Sequence, residues 1–214
     1  MQNSFFSVII TTYNRAALLT RALESLISQT EKDWEAILID DGSTDDTYDQ
    51  IEPYLNRYPQ IQYKRQSNQG TVSAKNAGIA SARGKFVTFL DSDDEYSDNH
   101  LQSRRLILEE NLNVEFLHGG VKVIGNEYVP DRHDHSKKIH LSECVIGGTF
   151  FIKKEVALAF EGFKPFLVGT DADLFERISK TKTTILKTEL PTYIYHRESN
   201  ESITHNLLNK SFTE

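Results

Sequence analysis

Phe86-Val87-Thr88-Phe89-Leu90-Asp91-Ser92-Asp93-Asp94 is a β-branched and aromatic run that stops on four polar residues, three of them acidic. The apolar part reads as a buried strand, and the acidic part as the loop beyond its carboxyl end. In an extended segment residues i and i+2 point the same way, so Asp91 and Asp93 face one crevice. Working outward, the same punctuation recurs twice upstream. Ser7-Val8-Ile9-Ile10-Thr11 runs into Tyr13-Asn14-Arg15, and Ala36-Ile37-Leu38-Ile39 stops at Asp40-Asp41-Gly42-Ser43. Between them Leu19, Leu23, Leu26 and Ile27 recur at helical spacing. Thr44, Asp45 and Asp46 suit a helix N-terminus, where side-chain oxygens and negative charge meet free backbone N–H groups.

A weaker strand at Ile61–Lys64 precedes a polar loop, Gln66 to Gly70. A small-residue helix follows (Ala74, Ala77, Gly78, Ala82) and ends at Arg83-Gly84. Strand–helix alternation of this kind predicts an α/β fold, with a mostly parallel central sheet and helices on both faces. From about residue 112 the rhythm changes to short strands and loops, with helices near Lys154–Phe160 and Asp171–Lys180. The 214 residues are read as a single domain, a ligand-binding half over 1–111 and a second half over 112–214.

Open α/β sheets bind ligands beyond the carboxyl ends of their strands. Three predicted ends carry polar groups: Thr11 with Tyr13, Asp40 with Asp41, and Asp91 with Asp93. One acidic end alone reads as a turn or a helix cap, here for a helix starting near Ser97. Their convergence on one sheet edge points to a site. Asp91 and Asp93 offer hard oxygen ligands suited to Mg²⁺ or Mn²⁺. Neither acidic stretch has the sixth-position glycine of an EF-hand loop, and neither GxxxxGK[ST] nor GxGxxG occurs. Bound phosphates would therefore be held through a metal rather than a glycine cradle.

With 24 Lys+Arg against 31 Asp+Glu the formal charge is −7, and no basic block offsets it, which argues against a nucleic-acid polymer as partner. A nucleotide held through a divalent cation remains compatible. Cys144 is the only cysteine, so an intrachain disulfide is impossible and a reducing compartment fits. Residues Met1 to Phe6 do not resemble a signal peptide, and nowhere do 18 consecutive apolar residues occur. The expected location is cytoplasmic, with peripheral association at the inner face of a membrane left open.

Four stretches resemble the family 2 glycosyltransferases in order and spacing: Ser7 to Arg15, Asp40 to Asp45, Lys75-Asn76-Ala77-Gly78, and Phe89 to Asp94. The second half resembles them more loosely, through Gly169 to Leu174 and Tyr193 to Arg197. The resemblance implies a GT-A type fold, with a nucleotide-binding first half and an acceptor-binding second half. It implies a metal-dependent, inverting transfer of sugar from a nucleotide-sugar donor, of UDP type, to a saccharide or lipid-linked saccharide acceptor in surface polysaccharide or glycoconjugate synthesis. By its motifs Thr11 and Tyr13 line the base pocket, Asp41 accepts from the uracil ring, and Asp91 lies near the ribose and diphosphate. Arg15, Lys75, Asn76 and Ser92, inside the matching stretches, join the donor-binding candidates. Asp93 matches the principal ligand of a Mn²⁺ or Mg²⁺ ion, His196 a further ligand from a late loop, and Asp171 the general base. Thr170 departs from the pattern, since an acidic residue usually precedes that base.

The chemistry is consistent with those roles. A divalent cation stabilises a departing nucleoside diphosphate, and an acceptor hydroxyl needs a positioned carboxylate to remove its proton. Direct displacement needs only one base, whereas double displacement needs a second carboxylate as nucleophile. Asp171 and Asp173 also suit a helix start on dipole grounds alone. Their spacing puts them on different faces, so one at most enters the crevice. The remaining candidates read as structural: His133 and His135 in a solvated hairpin, Cys144 as a small buried residue, Gly147-Gly148-Thr149 as a turn near the acceptor, and Arg104, Arg105, Lys137 and Lys138 as a solvated face. Two rival functions stand beside the transferase. A sugar-phosphate nucleotidyltransferase is expected to carry a glycine-rich basic loop after the first strand, which Thr11–Arg15 is not. A non-catalytic nucleotide-sugar-binding partner subunit has no need of both Asp93 and Asp171.

Overall fold

The computed structural model describes residues 4–134 and 136–198. The first half alternates strand and helix: β1 (Phe6–Thr12), α1 (Ala16–Ile27), β2 (Trp34–Asp40), α2 (Thr47–Arg57), β3 (Ile61–Arg65), α3 (Thr71–Ser81) and β4 (Phe86–Phe89). There follow β5 (Glu95–Tyr96), α4 (His100–Glu110), β6 (Phe116–His118), β7 (Val121–Gly125), β8 (Tyr128–Pro130) and β9 (Lys138–His140). After 3₁₀ turns at Leu141–Glu143 and Gly147–Thr149 come β10 (Phe151–Lys153), α5 (Lys154–Ala159), α6 (Thr170–Ser179), β11 (Ile185–Lys187) and β12 (Tyr193–Arg197).

Seven strands form the central sheet in the order β11-β6-β10-β4-β1-β2-β3. The β4-β1-β2-β3 part is wholly parallel, while β10 runs antiparallel to both β4 and β6. Every residue of β1 and β2 is buried, as both-face coverage requires. Val8, Ile10, Ala36 and Leu38 pack on Leu19, Leu23 and Leu26 of α1 and Leu101 of α4. Ile9, Ile37 and Ile39 face the other way, onto Ala74 and Ile79 of α3 and Leu174 and Ile178 of α6. The small residues of α3 matter here: a side-chain carbon on Gly78 would collide with Ile9, so glycine lets this helix sit hard against the sheet.

From β1 the chain steps outward through β2 to β3, then returns through α3 to place β4 on the other side of β1. That reversal opens a crevice at the carboxyl ends of β1 and β4, the place where such sheets take ligands. A smaller sheet, β5-β12-β7, adjoins the acidic loop: β5 follows that loop directly and pairs antiparallel with β12, Glu95 opposite Ile194 and Tyr96 opposite Tyr193. β8 and β9 form a separate hairpin.

Several expectations need correction. The helix expected near Ser97 begins at His100, because Glu95–Tyr96 pair with β12 and the Ser97 N–H donates to the Thr192 carbonyl. Arg104 is not on a solvated face but fully buried, its Nη2 donating to the carbonyls of Gly119 and Leu190, each at 3.0 Å. Arg105 is spent on Glu31, Asp33 and Glu109. Cys144 is half-buried rather than buried. His133 is exposed and bonded by Arg132, while His135 lies outside the described residues. Among the described residues no helix is long and apolar enough to cross a membrane.

Candidate active site

The crevice is built from loops that stitch one another. Asn14, after β1, takes a left-handed backbone (φ 51°), its N–H donating to Ser43 Oγ and its side-chain oxygen accepting from the Thr44 N–H. Asp45 accepts from the Ala16 N–H at 3.2 Å and from the Thr47 N–H at 3.1 Å, joining the starts of α1 and α2. Thr11 is buried, and Tyr13 stands at 46% exposure, its ring open to a partner.

Asp41 sits at the carboxyl end of β2, buried, on the α3 side. It accepts from Gln66 Nε2 (2.7 Å), the Gln69 N–H (2.9 Å) and the Gly70 N–H (2.7 Å), clamping the loop that leads into α3. An ionised carboxylate offers about four acceptor positions, so one remains for a ligand N–H. Asp40 faces the opposite side, accepting from the Ser43 N–H and the Tyr63 hydroxyl. Asn76 has a holding role instead of a free amide: Nδ2 donates to the Phe163 carbonyl and Oδ1 accepts from the Phe163 N–H, each at 2.9 Å.

The acidic loop after β4 divides by direction. Asp91 pairs with Lys75 of α3, Oδ1 to Nζ 3.0 Å, and the lysine lies beside the rings of Phe89 and Phe163. Burial disfavours the charge on Lys75, but Asp91 and Asp171 outweigh it and hold the ammonium firmly protonated. Ser92 is buried. Asp93 is partly buried, with its backbone carbonyl bonded by Arg21. Burial and the neighbouring Asp91 raise its pKa, against the opposing charges of Arg15 and Arg21. Asp94 points away into the protein, where it accepts from the Tyr193 hydroxyl (2.6 Å) and the His196 N–H (2.8 Å). Burial, then Asp91 and Asp93, push its carboxyl well above the usual range.

Carboxylates that repel one another in a half-buried loop suit a divalent cation, which relieves that repulsion. Among the described residues no three His, Cys, Asp or Glu side chains converge into a metal cage. His196 Nε2 is instead 3.0 Å from Glu95 Oε1. Mg²⁺-like ions are commonly held by one or two carboxylates together with substrate phosphates. The donor set of Asp91 and Asp93 therefore fits a cation that arrives with a diphosphate.

From the second half, α6 brings Asp171 to the same crevice. Its Oδ2 accepts from the Gly147 N–H at 2.9 Å. Burial raises its pKa, Lys75 opposes, Asp91 adds to the rise, and the balance lies above an ordinary aspartate. Asp173 turns to the other face of α6 and binds Arg177 Nε at 2.7 Å; that guanidinium also holds the carbonyls of Phe160 and Gly162. The structure thus gathers Asp91, Lys75 and Asp171 at the crevice and leaves Asp173 in the scaffold. Sequence reasoning overlooked Asp94, Glu95 and the Gly147 N–H. For Asp94 a signal was present: it breaks the i, i+2 alternation of Asp91 and Asp93 and so must face inward.

Comparison with known proteins bears on this site. The family model described as glycosyl transferase family 2 matches residues 7–158. A GalNAc(5)-diNAcBac-PP-undecaprenol beta-1,3-glucosyltransferase of Campylobacter jejuni is 30% identical over 214 residues, covering 92% of this chain and 67% of that protein. Three uncharacterized glycosyltransferases from Rickettsia match at 37% to 38% identity, yet the chain spans only 18% to 21% of their length. Among solved structures, S. aureus TarS 1-349 in complex with UDP-GlcNAc superposes with a TM-score of 0.79 at 21% identity, over 92% of this chain and 60% of that one. The mannosyltransferase PcManGT from Pyrobaculum calidifontis, in complex with GDP-Man and Mn²⁺, gives 0.74 at 17% identity, over 96% and 60%. The expected GT-A type α/β fold is the observed one, and with the family model matched over the greater part of its length the chain belongs to glycosyl transferase family 2.

Proposed function

We propose that this chain transfers a sugar from a nucleotide-sugar donor of uridine type onto an acceptor hydroxyl, with inversion at the anomeric carbon. The observation that carries the proposal is the meeting of Asp91, from the strand-and-helix half, and Asp171, from the second half, around the buried Lys75. In this reading Tyr13 stacks on the base, the free acceptor position of Asp41 takes the ring N–H, and Thr11, Arg15, Lys75, Asp91 and Ser92 surround the ribose and diphosphate. Asp93 with Asp91 would hold a Mn²⁺ or Mg²⁺ ion together with the diphosphate, and His196 would join only on leaving Glu95. A cation bound there supplies Lewis-acid stabilisation of the leaving group's charge. Asp171, oriented by the Gly147 N–H, takes the acceptor proton, and its raised pKa makes it a better base than a solvent-exposed aspartate.

The named relatives support the substrate class. One is named for a PP-undecaprenol-linked acceptor, one is seen with UDP-GlcNAc, and one with GDP-Man and Mn²⁺. We extend the proposal to a saccharide or lipid-linked saccharide acceptor, a place in glycoconjugate or polysaccharide synthesis and the cytoplasmic location read from the sequence. The test is release of free nucleotide from a panel of UDP- and GDP-sugars with Mn²⁺, with and without a lipid-linked saccharide. Release from a UDP-sugar that EDTA stops and Asp93→Asn abolishes is the expected result. No release from any donor, with nucleotide binding retained, would favour a non-catalytic partner subunit.

A further inference from the structure

Gly147-Gly148-Thr149 forms a fully buried 3₁₀ turn between the two halves of the site. On one side the Gly147 N–H holds Asp171, and a side-chain carbon on Gly147 would lie 2.6 Å from Asp171 Oδ1. On the other side a side-chain carbon on Gly148 would overlap the ring and hydroxyl of Tyr193. Tyr193 is fully buried and donates to Asp94, whose second oxygen accepts from the His196 N–H. The turn itself is pinned: Thr149 Oγ1 donates to the Ile146 carbonyl at 2.7 Å and accepts from the Gly119 N–H at 3.1 Å.

We infer that Gly147 and Gly148 are a pair of positioning residues with separate outputs, Gly147 setting the base and Gly148 setting the acidic loop through Tyr193 and Asp94. The inference rests on the proposed roles of Asp171 and of the acidic loop. A methyl group at 147 has no space except by moving the Asp171 carboxylate, and one at 148 has none except by moving Tyr193 away from Asp94. The two neighbouring substitutions should therefore damage different quantities, which an ordinary structural turn would not do.

The experiment compares Gly147→Ala and Gly148→Ala, using kcat for transfer beside calorimetric affinity for UDP in Mn²⁺. Gly147→Ala should lower kcat by about 10²-fold, the usual effect of misplacing a reacting group by about 1 Å, with UDP affinity unchanged. Gly148→Ala should weaken Mn²⁺-dependent UDP binding by about 10-fold or more, as loss of support behind a metal ligand does, with kcat at saturating donor kept within a few-fold. Equal proportional losses of kcat and affinity in both variants would overturn the inference. Should Gly147→Ala unfold, the melting temperature of Gly147→Ala/Asp171→Ala decides: recovery to that of Asp171→Ala shows that the collision is with the base, and no recovery refutes it. Full transfer by Asp171→Asn would refute the base assignment itself, a result separate from either outcome.

Discussion

Lys75 Nζ lies 3.0 Å from Asp91 Oδ1 with only 9% of the lysine side chain exposed, between the donor side of the crevice and Asp171. The same ammonium opposes the rise that burial and Asp91 impose on the Asp171 pKa. Lys75→Met removes that opposition, so the Asp171 pKa climbs further and a larger fraction is protonated at a given pH. A base must be deprotonated, so the acid limb of the kcat–pH profile should move to higher pH. Lys75→Arg, which keeps the charge, should leave the limb near its original place. An unmoved limb in Lys75→Met would separate Lys75 from the base.

Asp171→Asn should bind UDP with near wild-type affinity while transfer falls by about 10²–10⁴-fold, the range for loss of a positioned base. Asp173→Asn should transfer within a few-fold of wild type. Its cost belongs to stability, since Arg177 loses its carboxylate yet keeps the carbonyls of Phe160 and Gly162. Calorimetry, initial rates and thermal melts on the two variants check all three statements. An inactive Asp173→Asn would transfer the base role to that residue.

UDP should raise the melting temperature in Mn²⁺ more than GDP, ADP or dTDP does. Asp41→Asn should remove most of that preference. It should also cost about 1–3 kcal/mol of stability, because the new amide sets N–H against one of the donors of Gln66, Gln69 or Gly70. A larger shift with GDP would end the uridine assignment and leave the fold untouched.

His118 is buried beside Phe116, Phe150 and Phe175, and burial, with Lys187 nearby, pulls its pKa down to about 4. Above the unfolded value of about 6.5 both states are neutral and no stability is lost. As pH falls from there toward about 4 the unfolded chain takes a proton that the folded chain refuses. The loss should approach roughly 3 kcal/mol near the lower end. His118→Phe should flatten this acid limb in urea melts taken between those two pH values, and an unchanged slope would show that His118 ionises in the folded state.

The strands that carry the crevice were legible because Ser7–Thr11, Ala36–Ile39 and Phe86–Leu90 are β-branched runs halted by polar residues. Asp91 and Asp171 were proposed from the family resemblance and both line the crevice, while helical spacing said only that Asp171 and Asp173 face different ways, as they do. What escaped depends on partners distant in sequence. Nothing around Arg104 announces that carbonyls at Gly119 and Leu190 would receive its guanidinium in the interior. The tie between the Asn76 amide and the Phe163 backbone spans 87 residues, and nothing near Asn76 in the sequence points to it. Gly147 has no side chain to advertise a role that belongs to its N–H.

The hydrogen bonds from Tyr193 and His196 to Asp94 span 99 and 102 residues of chain. On a ribosome, β1 to β4 emerge and can pair long before β12 exists. The acidic loop must wait unhooked until β12 leaves the exit tunnel. Nascent chains stalled before Tyr193 should thus hold a paired β4-β1-β2-β3 sheet whose acidic loop still lacks its two anchors, so that the crevice is completed well after the sheet that carries it.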